Sequence, residues 1–327
     1  MGRKRRSPDD VDGILVVDKP SGPTSHDVVQ VVRRAAGQKR VGHTGTLDPA
    51  ATGVLVVCLG RATKLVQHLQ AGQKTYAAQL VLGVVTSSQD ADGEVLARTS
   101  AAGLDEQRVC EALTRFQGEI EQVPPMVSAV KVGGERLHEL ARRGEEVERK
   151  ARRVTIHDLV LDAYDADTDP EHPRVSFLVT CSAGTYVRTL AHDLGEMLGV
   201  GASLTSLRRV ANGPFGVDDA HDLDAVRAAG EAGDLSGLLL TPEAAVARAL
   251  PTVEVDDGDL ALAMAQGKPA LSAQGRDDTY AVTFGERLLG IYRDRGDRAR
   301  SELVWTRPEE LALSAPADSS DAEGTCP

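Results

Sequence analysis

The residues best able to do chemistry in this sequence sit in one loop, Gly42-His43-Thr44-Gly45-Thr46-Leu47-Asp48-Pro49-Ala50-Ala51-Thr52-Gly53-Val54-Leu55. Around it, from 33 to 64, lie six basic residues (Arg33, Arg34, Lys39, Arg40, Arg61, Lys64), and Asp48 is the only acid in that window. A carboxylate alone among cations has its ionised form favoured. Such a group suits a nucleophile or general base rather than a general acid. Pro49 cannot donate a backbone hydrogen bond and fixes the chain just after the carboxylate. The same Asp-Pro pair also fits a plain turn capped by Asp48. Spacing alone leaves both readings open.

The elements flanking the loop are those that must position it. The apolar run 13–18 (GILVVD) predicts a buried strand. Lys19-Pro20-Ser21-Gly22-Pro23 is turn chemistry, and Thr24 and Ser25 are N-cap candidates. Val28, Val29, Val31, Val32 and Ala35 then follow with helical spacing, closed by Gly37. A second buried strand is predicted at 54–59, a short helix at 62–69 and a long strand at 74–83. The stretch 84–93 reads as a polar loop. Further on, helices are predicted at 105–116, 135–143 and 184–198. Strands are predicted at 152–164, 174–181 and 203–210, the first two paired across an acidic loop.

Composition limits the partners and the compartment. Hydrophobic content is 41%, enough for a core, but aromatics are 3%, so Val, Leu and Ala must fill it. No apolar run approaches the roughly 20 residues of a membrane span, and the polar start lacks the pattern of a secretory signal. The cytoplasm is the default location. The four cysteines (Cys58, Cys110, Cys181, Cys326) show no metal-ligand spacing and read as free thiols, mostly core filler. A net charge of −12 speaks at first against a nucleic-acid partner. The charge is uneven, however: 33–64 carries +5 and 131–153 carries +3, whereas 216–260 carries −9. A basic face on an acidic protein is therefore allowed. Nucleotide-cofactor and metalloprotease signatures are absent from the sequence.

The loop GHTGTLDPAATGVL resembles the catalytic motif of the TruB family of pseudouridine synthases. It has companions in family order over residues 13–211. Asp18-Lys19-Pro20-Ser21-Gly22-Pro23-Thr24-Ser25 resembles the N-terminal motif, and Lys74-Thr75-Tyr76 the tyrosine motif. Asp90-Ala91-Asp92-Gly93 matches a further motif. Pro124-Pro125-Met126-Val127-Ser128-Ala129-Val130-Lys131 resembles the segment before the family's charged helix. Cys181-Ser182-Ala183-Gly184-Thr185-Tyr186-Val187-Arg188-Thr189 resembles the arginine motif, and Ser206-Leu207-Arg208-Arg209 the last one.

The resemblance implies isomerisation of uridine-55 in the T-arm of tRNA with no cofactor; no required protein partner is expected, and a monomer is the default. It makes Asp48 the catalytic carboxylate and Arg188 the arginine that pairs with it, a pairing that bidentate geometry would suit. It makes Tyr76 the tyrosine that stacks on a flipped base. Tyr186 and Leu207 would line the uridine pocket, although Leu207 also fits ordinary core. His43 would fill the space left by the flipped nucleotide, or cap its own loop. Asp90 is a polar contact near the pocket or a turn former. Lys19 contacts phosphate or is a solvated turn lysine. A tRNA-folding chaperone would use the same surface without needing Asp48.

The expected fold is α+β: a mixed, mostly antiparallel sheet with flanking helices and a central RNA-binding cleft. Residues 13–250 would form the catalytic domain and 251–311 a small β-rich, PUA-like domain. Residues 1–12 are expected to be a disordered leader and 312–327 a disordered acidic tail.

Overall fold

The computed structural model describes residues 11–128, 131–132, 134–136, 140, 143, 145 and 147–312. Residues 1–10 of the expected leader, 313–327 of the expected tail with Cys326, and most of the helix expected at 135–143 lie outside these residues, whereas Val11 and Asp12 are held by Gln38 and the Arg61 amide. Of that helix, Glu135–Arg136 instead pairs with Lys131–Val132 as two short strands. The chain divides into two compact units between Leu239 and Leu240.

In chain order the strands of the first unit are Gly13–Lys19 (β1), Val41–His43 (β2), Thr52–Leu59 (β3), Lys74–Leu82 (β4), Val84–Thr86 (β5), Val95–Arg98 (β6), Gly118–Gln122 (β7), Lys131–Val132 (β8), Glu135–Arg136 (β9), Arg152–Asp165 (β10), Arg174–Cys181 (β11), Ala202–Asn212 (β12) and Phe215–Gly216 (β13). The main sheet runs β1-β3-β12-β4-β11-β10-β7, with β2 on β3 and β13 on β12. All of its pairings are antiparallel except β3 with β12. The expected mixed, mostly antiparallel sheet is thus the observed one.

Its helices are Ser25–Ala35 (α1), Val66–Gln70 (α2), Glu106–Thr114 (α3), Val187–Leu198 (α4) and Leu223–Glu231 (α5). The residues of β4 are alternately buried, as a strand with one face on a core requires. Tyr76, Ala78, Leu80 and Leu82 point to the core that α3 and α4 close. A second core holds β1 and β3 against α1 and α5.

Helix α1 starts where its sequence directs. Thr24 accepts from the Asp27 amide, and the Asp27 carboxylate accepts from the Thr24 amide, a capping box. The stretch 84–93 is not only loop: β5 pairs with β6 across its turn. Strand β7, GEIEQ, was not anticipated. It is a charged edge strand held by β10, with too little apolar pattern to announce itself.

The second unit has a four-stranded sheet of Thr252–Glu254 (β14), Tyr280–Phe284 (β15), Arg287–Arg295 (β16) and Arg298–Val304 (β17), in that order. It also contains the helices Pro242–Ala249 (α6), Gly258–Ala265 (α7) and Pro308–Ala312 (α8). Among the described residues, no helix is long and apolar enough to cross a membrane.

Candidate active site

Asp48 lies on the irregular loop between β2 and β3. Irregular backbone leaves carbonyls and amides that need partners, and three neighbours supply them. The Ser25 hydroxyl donates to Leu47 O (3.0 Å) and accepts from Leu47 N (2.8 Å). The Gly22 amide donates to Pro49 O at 2.9 Å. Lys19 Nζ donates to Pro20 O (2.9 Å), Pro49 O (2.9 Å) and Ala51 O (2.6 Å).

Lys19 therefore corrects both sequence readings. It is fully buried, so it is not a solvated turn lysine and has no surface to offer a phosphate. Burial lowers its pKa to about 8, against the pull of Asp48. Its work is to fix the backbone on the C-terminal side of Asp48.

Arg188, in the first turn of α4, reaches Asp48 through Nε–Oδ2 at 3.1 Å. The grip is not bidentate. The guanidinium is shared, with Nη1 on Asp90 Oδ2 at 3.0 Å. Nη1 and Nη2 also donate to Ser88 O (3.2 Å) and Val127 O (3.0 Å). With its side chain 5% exposed, Arg188 cannot swing away.

The electrostatics differ from the sequence expectation. Burial raises the Asp48 pKa above the ordinary carboxylate value; Arg188 and Lys19 oppose this, and Asp90 and Asp92 reinforce it. Asp48 is not a lone acid in space, because the turn after β5 brings two more. Its side chain still keeps 42% of its surface, since it opens on a cleft while protein atoms crowd its other sides.

The cleft holds a cavity of about 270 Å³ lined by Asp48, Tyr76, Tyr186, Arg188 and Leu207, together with Lys74, Arg209 and residues 182–185. Tyr76 is buried, which raises the pKa of its phenol and keeps it protonated. The Tyr186 backbone is held at both ends by Gln122, whose Oε1 accepts from Tyr186 N (3.0 Å) and whose Nε2 donates to Tyr186 O (3.2 Å).

Asp90 faces an adjoining recess of about 490 Å³ that shares Asp48, Arg188 and Leu207 with the first. His43 lines neither. Its Nδ1 accepts from the Gly45 amide at 3.2 Å, and burial lowers its pKa. Sequence reading missed Ser25 as a loop clamp, Gln122, Lys74 and Arg209. For Ser25, the cap signal of Thr24 one residue earlier obscured the role.

Among the described residues, no group of His, Cys, Asp and Glu is arranged to hold a metal ion. Cys58 and Cys181 are buried free thiols, whereas Cys110 is exposed rather than core filler.

Comparison with known proteins places this geometry. Residues 33–187 match the model of the TruB family pseudouridylate synthase N-terminal domain. Residues 188–247 match that of the tRNA pseudouridylate synthase B C-terminal domain. A protein of Symbiobacterium thermophilum named tRNA pseudouridine synthase B is 53% identical over 247 residues, covering 75% of this chain and 79% of its own. The chain belongs to the TruB family of pseudouridine synthases. It is accordingly an enzyme of the isomerase class. A second TruB relative, from Corynebacterium aurimucosum, is 43% identical and extends over 91% of this chain and 97% of its own.

Among solved structures, a Cbf5-Nop10-Gar1 complex contains a chain with TM-score 0.69 and 27% identity, covering 91% of this chain and 86% of that one. A chain of an H/ACA RNP bound to a substrate RNA shares the fold at TM-score 0.67 and 24% identity, covering 94% of each chain. The two TruB family models meet between Val187 and Arg188, inside α4. That boundary lies within one packed unit, so both models contribute to a single site.

Proposed function

We propose that this protein converts uridine-55 in the T-arm loop of tRNA to pseudouridine, with Asp48 as the catalytic carboxylate. The observation that carries the reading is the Asp48 carboxylate, tethered by Arg188 at one oxygen, at the mouth of a cavity walled by Tyr76 and Tyr186. Relatives at 53% and 43% identity bear the tRNA enzyme's name, whereas the ribonucleoprotein neighbours stand at 27% and 24%. That ranking favours a free tRNA over a guided substrate.

A stacked base shields its glycosidic bond, so the uridine leaves the loop's stack and enters the cavity, where an aromatic ring holds it. The C1′–N1 bond breaks, the uracil turns over, C5 bonds to C1′, the C5 proton is released and N1 takes up a proton, so that the product is an isomer of the substrate. Asp48 must be ionised to serve this sequence, whether it attacks the sugar or the base or takes a sugar proton. The exposed cations Arg34, Lys39, Arg40 and Lys64 would hold stem phosphates. Binding should therefore weaken steeply with salt.

The test is tritium release from a C5-labelled T-arm stem-loop by the wild type and by Asp48→Asn. Release by the wild type alone supports the reaction and the residue together. Release by both removes Asp48 from the chemistry, and release by neither removes the activity.

A further inference from the structure

Arg208 and Arg209 are sequence neighbours on β12 whose side chains meet opposite fates. Arg208 makes a two-pronged pair with Asp18, at 2.9 and 2.7 Å. Arg209 is 1% exposed and, among the described residues, pairs with no carboxylate. Burying a guanidinium without a counter-ion is costly unless every donor is met. Here backbone oxygens meet three of its five donors: Nε donates to Val54 O (2.7 Å), Nη2 to Gly45 O (3.1 Å) and Nη1 to Thr46 O (3.5 Å). Two of those carbonyls belong to the loop just before Asp48.

The same guanidinium reaches the cavity. Arg209 and Tyr76 are direct partners across β12 and β4, so their side chains share a face, and both line the cavity. The guanidinium sits close enough to the phenol to oppose the rise of its pKa. On the other side Gly53, at φ 100°, lets the chain pass Arg209. A Cβ there would lie 2.2 Å from Arg209 O.

We propose that Arg209 is a positioning residue for the isomerisation: its guanidinium holds the backbone of Gly45 and Thr46 and backs the neighbouring Tyr76 side chain, so that phenol and Asp48 keep a fixed separation. This rests on the site reading above and divides its labour. Arg188 holds the carboxylate, and Arg209 holds the loop and backs the tyrosine. A lysine in place of Arg209 keeps the charge but loses the planar fork that serves several oxygens at once.

The test combines single-turnover tritium release, stem-loop affinity and NMR of the guanidinium. Arg209→Lys is expected to slow release about 100-fold, the cost of a misplacement near 1 Å, with Kd within about threefold of wild type. Arg209→Ala opens space into the cavity, so added guanidinium ion should restore its rate where methylammonium does not. In the double variant with Tyr76→Phe the two losses should not multiply. Wild-type rate in Arg209→Lys, strict additivity, or a loss confined to Kd would overturn the proposal.

Should both Arg209 variants fail to fold, or the wild type release no tritium, the ¹⁵N spectrum of arginine side chains still decides. Tyr76→Phe leaves Arg209 intact, and one exchange-protected Nε–H resonance must shift. An unchanged spectrum refutes the link, whatever the wild type does to uridine.

Discussion

Two turns deliver a carboxylate to Arg188, and they do it differently. The β2–β3 loop brings Asp48 and is held from outside, by Ser25, Gly22 and Lys19. The turn after β5 brings Asp90 and holds that side chain from within, while its backbone is also tied to β12 by the Leu204 amide donating to Gln89 O at 3.0 Å. Asp90 Oδ1 accepts from Ser88 Oγ and from the Asp92 amide, and Oδ2 takes Arg188. Asp90 has thus committed both oxygens, with 18% of its side chain exposed. Asp48 has one ion pair among the described residues and 42% exposure. A carboxylate whose oxygens are all engaged is a structural anchor. One clamped through its backbone, with an oxygen left uncommitted, is free to react. The difference gives a physical ground for the separate roles that the resemblance implied for the two aspartates.

The comparison predicts unequal costs for one chemical change. Asp48→Asn should abolish tritium release, a barrier increase beyond about 4 kcal/mol at roughly 1.4 kcal/mol per decade. Its affinity for tRNA should stay within about tenfold, because one oxygen charge is a small part of a many-contact ground state. Arg188→Lys should come next, with release slowed about 100-fold, since a point charge cannot hold Asp48 and Asp90 together. If Arg188→Lys cost less than Asp90→Asn, the assignment of anchor and reactive group would be inverted.

Asp90→Asn tests electrostatics rather than chemistry. In the proposed reaction Asp48 works ionised, and its ionised fraction falls as pH drops through its pKa. Because burial raises that pKa, the acid limb of kcat/KM should lie above the usual aspartate value of about 3.9. The charged groups acting on Asp48 are Arg188, Asp90, Lys19 and Asp92. Removing the Asp90 charge removes one influence that raises the pKa, so the limb should move to lower pH. The plateau rate should fall by less than about tenfold, because Arg188 keeps its other partners. A limb that moves up, or stays, would show that Asp90 does not act on Asp48.

Much of this was legible in the sequence, for physical reasons. Apolar runs announced β1 and β3 because both are buried nearly throughout. Thr24 announced the start of α1 because capping is local chemistry. What depends on folding back was hidden. Lys19 sits in a Lys-Pro-Ser-Gly-Pro turn that reads as solvated, and only the return of residues 49–51 over it makes it a buried clamp. Arg209 follows Arg208 in a pair indistinguishable from phosphate contacts, yet one faces a carboxylate and the other a cavity. The raised pKa of Asp48 was misread because charge can be counted along a chain and burial cannot.

The smallest expected effect concerns how the turn that holds Asp90 is strained. Gln89 is the one non-glycine with positive φ (65°) among the described residues, and it immediately precedes Asp90. That conformation costs roughly 1–2 kcal/mol for an L-residue. The Gln89 side chain offsets part of this by accepting from Thr189 Oγ1 at 3.0 Å, which ties the turn to α4 one residue after Arg188. Gln89→Gly removes the strain and the tie together, and it also loosens the unfolded chain. These opposing terms should leave stability within about 1 kcal/mol of wild type by urea unfolding. Asp90 keeps its own bonds to Ser88 and Asp92, so the tritium-release rate should stay within about threefold. A collapse in rate with stability unchanged would mean that the turn does not hold the Asp90 side chain from within and that Asp90, like Asp48, is positioned from outside.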